Sequence, residues 1–299
     1  MDRMAPNTNP QSDQSSSPSS AQDSPIPEEM LNAIIKTFIV AHVDDTDAHL
    51  AQALVFNAGR LAWRMRESGL TTEHKTSVSD VVTAADRAAE KFIAEALAVI
   101  RPDDGLLGEE GSHRDSASGR TWVVDPVDGT YNFSTGSDYW CSALALVEGD
   151  PEDPDKLIFG AVHRPTMGYT WFGGPDIPTT QDNSPISVQA DASPSSTCLA
   201  SYLHPSDLQR EDVTGAWTRV TREFATVRML GSASVDMAGV AGGQFGCWMQ
   251  RSVAAWDWLP GRALIEGAGG TAIRVEAGGT QWSIAGSAAS VEAVRELLS

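Results

Sequence analysis

The sequence is short of basic residues. Lys and Arg number 21 against 40 Asp and Glu, a net charge of −19. That balance argues against nucleic acid or an anionic membrane surface as a partner, since both want a basic patch. It also opposes a phosphate-bearing substrate, unless bound divalent cations invert the local field. Cysteine is scarce as well. Cys141, Cys198 and Cys247 are odd in number, widely spaced and without a Cys-x-x-Cys pair. Neither a disulfide framework nor a zinc site is signalled, and buried thiols of a reducing compartment are expected. No apolar run approaches the roughly 18 residues of a membrane-spanning helix. The N-terminus shows no basic stretch followed by an apolar one, so no signal peptide is expected, and the location expected is cytoplasmic. There is no Gly-x-x-x-x-Gly-Lys-Ser/Thr loop, no Gly-x-Gly-x-x-Gly and no Gly-x-Ser-x-Gly elbow. The six histidines have no metal-ligand spacing. The nine tryptophans lack basic interleaving and read as core or pocket lining.

What the sequence does hold is organised around Trp122-Val123-Val124-Asp125-Pro126-Val127-Asp128-Gly129-Thr130-Tyr131-Asn132-Phe133. An apolar run ends in two carboxylates with proline between them, and a Gly-Thr pair follows. A strand end of this kind can hold a hard divalent cation, with free backbone N–H groups beyond it for a phosphate. Asp, Pro and Gly are also ordinary turn formers, so the stretch alone leaves both readings open.

At 299 residues and 41% hydrophobic content the chain can build one large domain or two of ordinary size. Residues 1–27, rich in Ser, Pro, Gln and Asn, are expected to be a disordered tail. Met4 and Met30 are alternative starts. Leu31, Ile34, Ile35, Phe38 and Ile39 then mark one helix, and Asp47 to Glu67 a second. Thr83-x-x-Asp86 reads as a capping box opening a third helix that runs to Ile100 and is ended by Pro102. On that reading Asp86 is a cap, and Lys75 and Asp80 are surface charges. A strand at Leu106–Leu107 runs into Glu109 and Glu110; Thr121 to Val124 is the next. If the two are neighbours, Glu109, Glu110, Asp125 and Asp128 converge, and a metal is the economical explanation for so many like charges. Strands are expected at Trp140–Val147, Leu157–Val162 and Met167–Phe172, and a loop or junction over 173–196. Beyond it strands and helices alternate: Cys198–Leu203, a helix over Ser206–Phe224, Thr226–Leu230, a helix over Ser234–Ala241, then Gly246–Met249. Asp257 precedes a helix stopped by Gly269-Gly270, where a first-turn acid contributes about 1 kcal/mol of helix stability. Strands near Thr271–Val275 and Ser283–Ala285 and a helix over Ala289–Leu298 close the chain.

Four stretches in this order resemble the inositol monophosphatase superfamily, the Mg²⁺-dependent, lithium-sensitive phosphomonoesterases. They are Lys75-x-x-x-x-Asp80-x-Val82-Thr83-x-x-Asp86, Gly108-Glu109-Glu110, Asp125-Pro126-Val127-Asp128-Gly129-Thr130-x-Asn132-Phe133, and Trp256-Asp257-x-x-x-Gly261 with Ala268-Gly269-Gly270. The likeness runs from roughly residue 45 to the C-terminus. It implies a layered αβαβα sandwich, with an N-terminal α+β domain over 28–180 carrying most metal ligands and a C-terminal α/β domain over 181–299 completing the site. By matched position, Glu109, Asp125 and the Val127 carbonyl would hold a first Mg²⁺, and Asp125, Asp128 and Asp257 a second. A third, weaker ion would use Glu109 and waters. Gly129 and Thr130 would offer N–H groups to the phosphate, Thr130 and Asp86 would orient the attacking water, and Lys75 and Asp80 would support them.

The resemblance leaves the alcohol open. Gly231, Ser232, Ala233, Gln250 and Arg251 would face it. Inositol-hydrolysing members usually place Glu seven residues ahead of the last metal Asp, where this chain has Gln250. Gln loses the charged acceptor that makes such bonds strong; Arg251 could favour an extra anionic group or could simply be a surface charge. Inositol monophosphate stands first, ahead of histidinol phosphate, 3′-phosphoadenosine 5′-phosphate and fructose 1,6-bisphosphate. A homodimer is expected from the same likeness. A non-catalytic phosphate or polyol sensor is the reading from outside the enzyme class, and the presence of Thr130 and every matched ligand opposes it.

Overall fold

Local signals at the chain's start are strong enough to build helices in sequence. Glu28–His42 (α1) turns Leu31, Ile35 and Phe38 inward, and Asp47–Glu67 (α2) is opened by Thr46, whose hydroxyl accepts the N–H of His49 at 3.4 Å. The structure, a computed structural model, describes residues 26–69, 72–74, 81–190 and 193–299. The expected disordered tail lies outside them as far as residue 25, and so do Lys75 and Asp80.

Two short strands, Thr72–His74 (β1) and Val81–Thr83 (β2), pair antiparallel ahead of Ala84–Ile100 (α3). A run of strands follows: Gly105–Gly108 (β3), His113–Arg114 (β4), Arg120–Asp128 (β5), then, after the short helix Thr130–Ser134 (α4), Cys141–Asp150 (β6), Asp153–Arg164 (β7), Tyr169–Gly174 (β8), Ile177–Gln181 (β9) and Ser184–Pro185 (β10). They form an eight-stranded sheet in the order β10-β9-β8-β7-β6-β5-β3-β4, in which β3 and β5 are parallel and the other pairs antiparallel. The C-terminal part comprises Cys198–Tyr202 (β11), Glu211–Thr221 (α5), Thr226–Arg228 (β12), Ala233–Ala241 (α6), Cys247–Arg251 (β13), Ala255–Gly267 (α7), Thr271–Ala277 (β14), Thr280–Gly286 (β15) and Ala288–Leu298 (α8). Its sheet runs β12-β11-β13-β15-β14, with β11 parallel to both β12 and β13.

Strand alternation sends successive side chains to opposite faces. Trp122, Val124, Leu144, Leu146 and Phe159 pack against α1, α2 and α3, while Val123, Ala143, Ala145, Val162 and Trp171 meet α6 and α7 on the other face. Those two helices also cover Ala200, Trp248 and Ala285 of the small sheet, whose far face (Leu199, Cys247, Met249, Trp282, Ile284) is covered by α5 and α8. The layers are therefore αβαβα, as the resemblance implies. Five tryptophans, Trp122, Trp140, Trp248, Trp258 and Trp282, are fully buried core residues.

Three expectations need correction. The stretch 173–196 is not simply a loop: it completes β8 and supplies β9 and β10. A tight turn at Asp182-Asn183, with φ of 49° and 64°, joins β9 to β10. Asn and Asp tolerate that left-handed conformation, which two-residue hairpin turns demand. The helix expected over Ser206–Phe224 is instead a 3₁₀ turn at Pro205–Gln209 followed by α5, with Arg210 extended between them. The strand expected to end at Val124 continues through Asp128, with a register break between Asp125 and Asp128 where β6 pairs with it.

Close approach of α7 to the large sheet depends on a missing side chain. A Cβ at Gly160 of β7 would lie 2.3 Å from the Pro260 carbonyl oxygen, so only glycine lets the helix seat there. Elsewhere on β7, His163 is 1% exposed, and its Nδ1 lies 2.8 Å from the Thr170 hydroxyl. Burial lowers its pKa from 6.5 to about 4. A histidine that is neutral when folded but free to protonate when unfolded contributes stability above pH 6.5, and this is lost as pH falls from 6.5 towards 4. His163→Gln should flatten the pH dependence of the denaturation midpoint in that window. The difference from wild type should reach about 3 kcal/mol at the acid end.

Candidate active site

The strand β5 carries its acids past the last regular pair of the ladder. Pro126 has no N–H to give to β6, and the break in register there leaves the Val127 N–H to bond Asp125 Oδ1 at 3.1 Å. The Val127 carbonyl turns toward Thr130 Oγ1, 2.9 Å away. Gly129 makes the following turn at φ +92°, where a Cβ would also meet the Gly231 carbonyl oxygen at 3.0 Å. Both constraints call for glycine.

Asp128 points across to α6, where the N–H groups of Ala233 and Ser234 reach its two oxygens at 3.2 and 2.5 Å. Asp257 enters from the first turn of α7. The ligand oxygens of Asp125, Asp128 and Asp257 lie within 4.8 Å of one another. Glu109, just beyond β3, donates its N–H to the Val124 carbonyl at 3.2 Å, which extends the parallel ladder and brings its side chain against Asp125. Burial raises the pKa of Asp125 well above the ordinary carboxylate value, and the charges of Glu109, Asp128 and Asp257 add to the shift. Asp257 is raised in the same way by burial and then by Asp128 and Glu109. Asp128 is raised by burial against the opposing pull of its bond from Ser234.

These acids crowd one wall of a cleft of about 720 Å³, and no Lys or Arg among the described residues lines it. Hard oxygen donors that hold one another's protons on are the set a hard divalent cation would relieve. The residues therefore fit the metal dependence of the family described below.

Asp86 is the N3 residue of α3, and both halves of the capping box with Thr83 are formed. Its Oδ2 accepts the Thr83 N–H at 3.0 Å, and the Thr83 hydroxyl bonds the same oxygen. Oδ1 lies 3.0 Å from Thr130 Oγ1, so the single hydroxyl proton of Thr130 is contested between Asp86 and the Val127 carbonyl. Burial pushes Asp86 up to about 6, with Thr83 pulling it down and Glu110 pushing it up. One carboxylate thus starts a helix and faces the site.

Of the residues expected at the alcohol end, Gly231, Ser232, Ala233 and Gln250 line the cleft. Arg251 does not. It follows Gln250 on β13 and points the other way, donating Nε and Nη2 to Asp207 at 3.1 and 2.7 Å. Its charge is spent fixing the 3₁₀ turn, so the expectation that it meets the substrate is corrected. Glu110 does not line the cleft, although its charge reaches Asp86.

Three contributors had no role legible in the sequence, although Asn132 lies within the motif that begins at Asp125. Glu90, 2% exposed on α3, accepts the N–H groups of Glu110 at 2.7 Å and Ser112 at 2.8 Å, clamping the loop that begins with Glu109. Asn132 Nδ2 donates to the carbonyls of Tyr139 at 2.8 Å and Leu230 at 2.7 Å, tying α4 to the segment ahead of α6. Asp236, in the first turn of α6, lines the cleft and accepts the Tyr139 hydroxyl at 2.7 Å. Burial pushes Asp236 up to about 8, against the pull of Tyr139, and raises Tyr139 far enough that it remains a donor.

This is the fold and acid cluster of a phosphoric monoester hydrolase. Residues 43–297 match the inositol monophosphatase family, and the chain belongs to it. It is 32% identical over 230 residues to an inositol-1-monophosphatase of Rhizobium meliloti, covering 75% of this chain and 84% of that protein. It is 31% identical over 241 residues to a histidinol-phosphatase of Mycobacterium tuberculosis, covering 75% and 85%. Its fold is similar to that of the extragenic suppressor protein suhB from Bartonella henselae, with a TM-score of 0.73 at 23% identity over 89% of this chain and 98% of that one.

Glu90→Gln would set an amide N–H against one of the two backbone donors. It should cost about 1–3 kcal/mol of stability by denaturation. By loosening Glu109 it should also weaken divalent-cation binding, measured by calorimetry, about tenfold or more.

Proposed function

We propose that the chain is a Mg²⁺-dependent phosphomonoesterase that hydrolyses a small alcohol carrying a single phosphate. The observation that carries this reading is the convergence of Glu109, Asp125, Asp128 and Asp257 beside the Thr130–Asp86 pair. Glu109, Asp125 and the Val127 carbonyl would hold one ion, and Asp125, Asp128 and Asp257 a second; Glu109 with waters would hold a third, weaker one. Bound cations supply an activated water and charge neutralisation for phosphate and leaving oxygen. The chain's own part is positioning. Gly129 and Thr130 present N–H groups to the phosphate, and Thr130 Oγ1 orients the water. As the water oxygen bonds to phosphorus, its proton passes to Thr130 Oγ1 while the Thr130 proton moves to Asp86 Oδ1. An acid with a pKa near 6 can hold that proton and return it near neutrality. The P–O bond to the alcohol breaks with its electron pair on the alcohol oxygen, which takes a proton from solvent water, and Asp86 returns its own proton to solvent, so one water is consumed overall. Lys75 and Asp80 support the pair.

The alcohol is myo-inositol or an amino alcohol such as histidinol, and both kinds of activity are named among the relatives. Two observations support a substrate with one phosphate: Arg251 is bound to Asp207, and no Lys or Arg among the described residues lines the cleft. Fructose 1,6-bisphosphate and 3′-phosphoadenosine 5′-phosphate would leave their second phosphate without a counter-charge. Lithium sensitivity, a homodimer and a cytoplasmic location complete the proposal on the strength of family likeness. Among the described residues no helix is long and apolar enough to cross a membrane.

Phosphate release measured from these four substrates, with and without Mg²⁺, tests the reading; no release from any of them would refute it. Asp125→Asn should reduce turnover by more than the roughly 100-fold typical of a residue one step removed from an ion. The same change removes a repelling buried charge, so the metal-free variant should melt above metal-free wild type. An active Asp125→Asn would sink the metal assignment.

A further inference from the structure

The wall of the cleft has one acid without a task in the hydrolysis. Asp236 is 2% exposed and lines the cleft, yet stands apart from the three aspartates whose oxygens cluster within 4.8 Å. Tyr139 fixes its Oδ1 at 2.7 Å, and no donor among the described residues reaches its other oxygen. Tyr139 is itself held in place: the Arg164 guanidinium lies 4.8 Å from its ring centroid, and Asn132 binds its carbonyl. The carboxylate is rigid, half satisfied and turned to the space where the alcohol would lie.

A neutral Asn would accept the Tyr139 hydroxyl equally well. An acid in this place ionises readily only when something positive meets it, because a buried negative charge beside Asp128 is otherwise costly. No described Lys or Arg lines the cleft, and the imidazole of His204, which does, has its Nδ1 2.7 Å from the Ser206 hydroxyl. The cations of the proposed mechanism are already matched by Glu109, Asp125, Asp128, Asp257 and a dianionic phosphate. Among the described residues that leaves no fixed cation for Asp236, and a positive charge on the substrate would fill that place.

We infer that the alcohol end of the site selects a phosphomonoester bearing a protonated amine over one bearing only hydroxyls, with the open oxygen of Asp236 accepting the ammonium and Tyr139 holding that carboxylate in place. Gln250 and Tyr202, paired across β13 and β11, form an uncharged wall for the rest of the molecule. The inference rests on the phosphatase reading and chooses between its two alcohols.

The test compares kcat/KM for histidinol phosphate and myo-inositol 1-phosphate in wild type, Asp236→Asn and Tyr139→Phe, with Mg²⁺ present. Wild type should favour the amine by at least about tenfold, and Asp236→Asn should lower that ratio by about tenfold or more, mainly through KM. Tyr139→Phe, which frees the carboxylate but keeps its charge, should lower it severalfold. A wild-type preference for the polyol, or an equal fall for both substrates in Asp236→Asn, overturns the inference. p-Nitrophenyl phosphate, which has no amine or hydroxyl donor, serves as the control. Release from it without amine selectivity defeats only this inference. If none of the three esters is hydrolysed, the phosphatase reading fails instead. Calorimetry with free histidinol then decides the role of Asp236: weaker binding in Asp236→Asn supports it, and unchanged binding rejects it.

Discussion

Glu109, Asp125, Asp128 and Asp257 repel one another, and much of the fold around the cleft exists to hold them together in spite of that. Each comes from a different backbone device: the loop after β3, a register break in β5, the strand end beside it, and the first turn of α7. Repulsion at this range would splay flexible acids apart, so each is anchored away from its charged end. Glu90 clamps the loop bearing Glu109. The Val127 N–H pins Asp125. The missing side chain at Gly160 lets α7 lie close enough to the sheet for Asp257 to arrive. Burial makes the repulsion stronger and the anchoring rigid at once.

The two aspartates of β5 are held unequally, and that bears on what each can do. Asp128 receives two backbone N–H groups from the start of α6, which stabilise its charged form even without an ion. Asp125 accepts one N–H and faces three other acids, so its pKa is pushed higher. Of the two, Asp125 therefore has more to gain from a cation, and Asp128 is the more firmly held. The net charge of −19 follows a similar logic. It does not exclude an anionic substrate when the acids nearest that substrate are the ones the cations neutralise.

Helix periodicity, caps and glycine stops made α1, α2, α3 and α7 legible, because those signals are local. The Asp125–Thr130 stretch was legible because a tight backbone path restricts which residues can occupy it. Other features depend on partners distant in sequence. Glu90 looks like any solvent-facing helix acid until the loop twenty residues on folds over it. Arg251 looks available to a phosphate until Asp207 is seen beneath it. The hairpin at Asp182-Asn183 was masked by Gly and Pro around it, although its turn residues suit a positive φ. Asp236 follows Ser232 by four residues in a helix with little amphipathic pattern, and only the approach of Tyr139 from another element distinguishes it.

Strand direction accounts for where the site lies. An antiparallel pair sends its C-terminal ends to opposite edges of a sheet, so acids following both could not meet. In the large sheet the one parallel pair among the described strands is β3 with β5, and these are the strands that deliver Glu109 and Asp125. In the small sheet the parallel strands are β12, β11 and β13, and Met229, Tyr202 and Gln250, at or just beyond their C-terminal ends, line the same cleft. Two mixed sheets thus confront each other through their few parallel strands. On the proposed reading, one would supply acids for the phosphate end and the other the wall for the alcohol. Substitutions at the ends of β11 and β13 can therefore change the alcohol without moving Glu109 or Asp125, since the strands holding those acids belong to a different sheet.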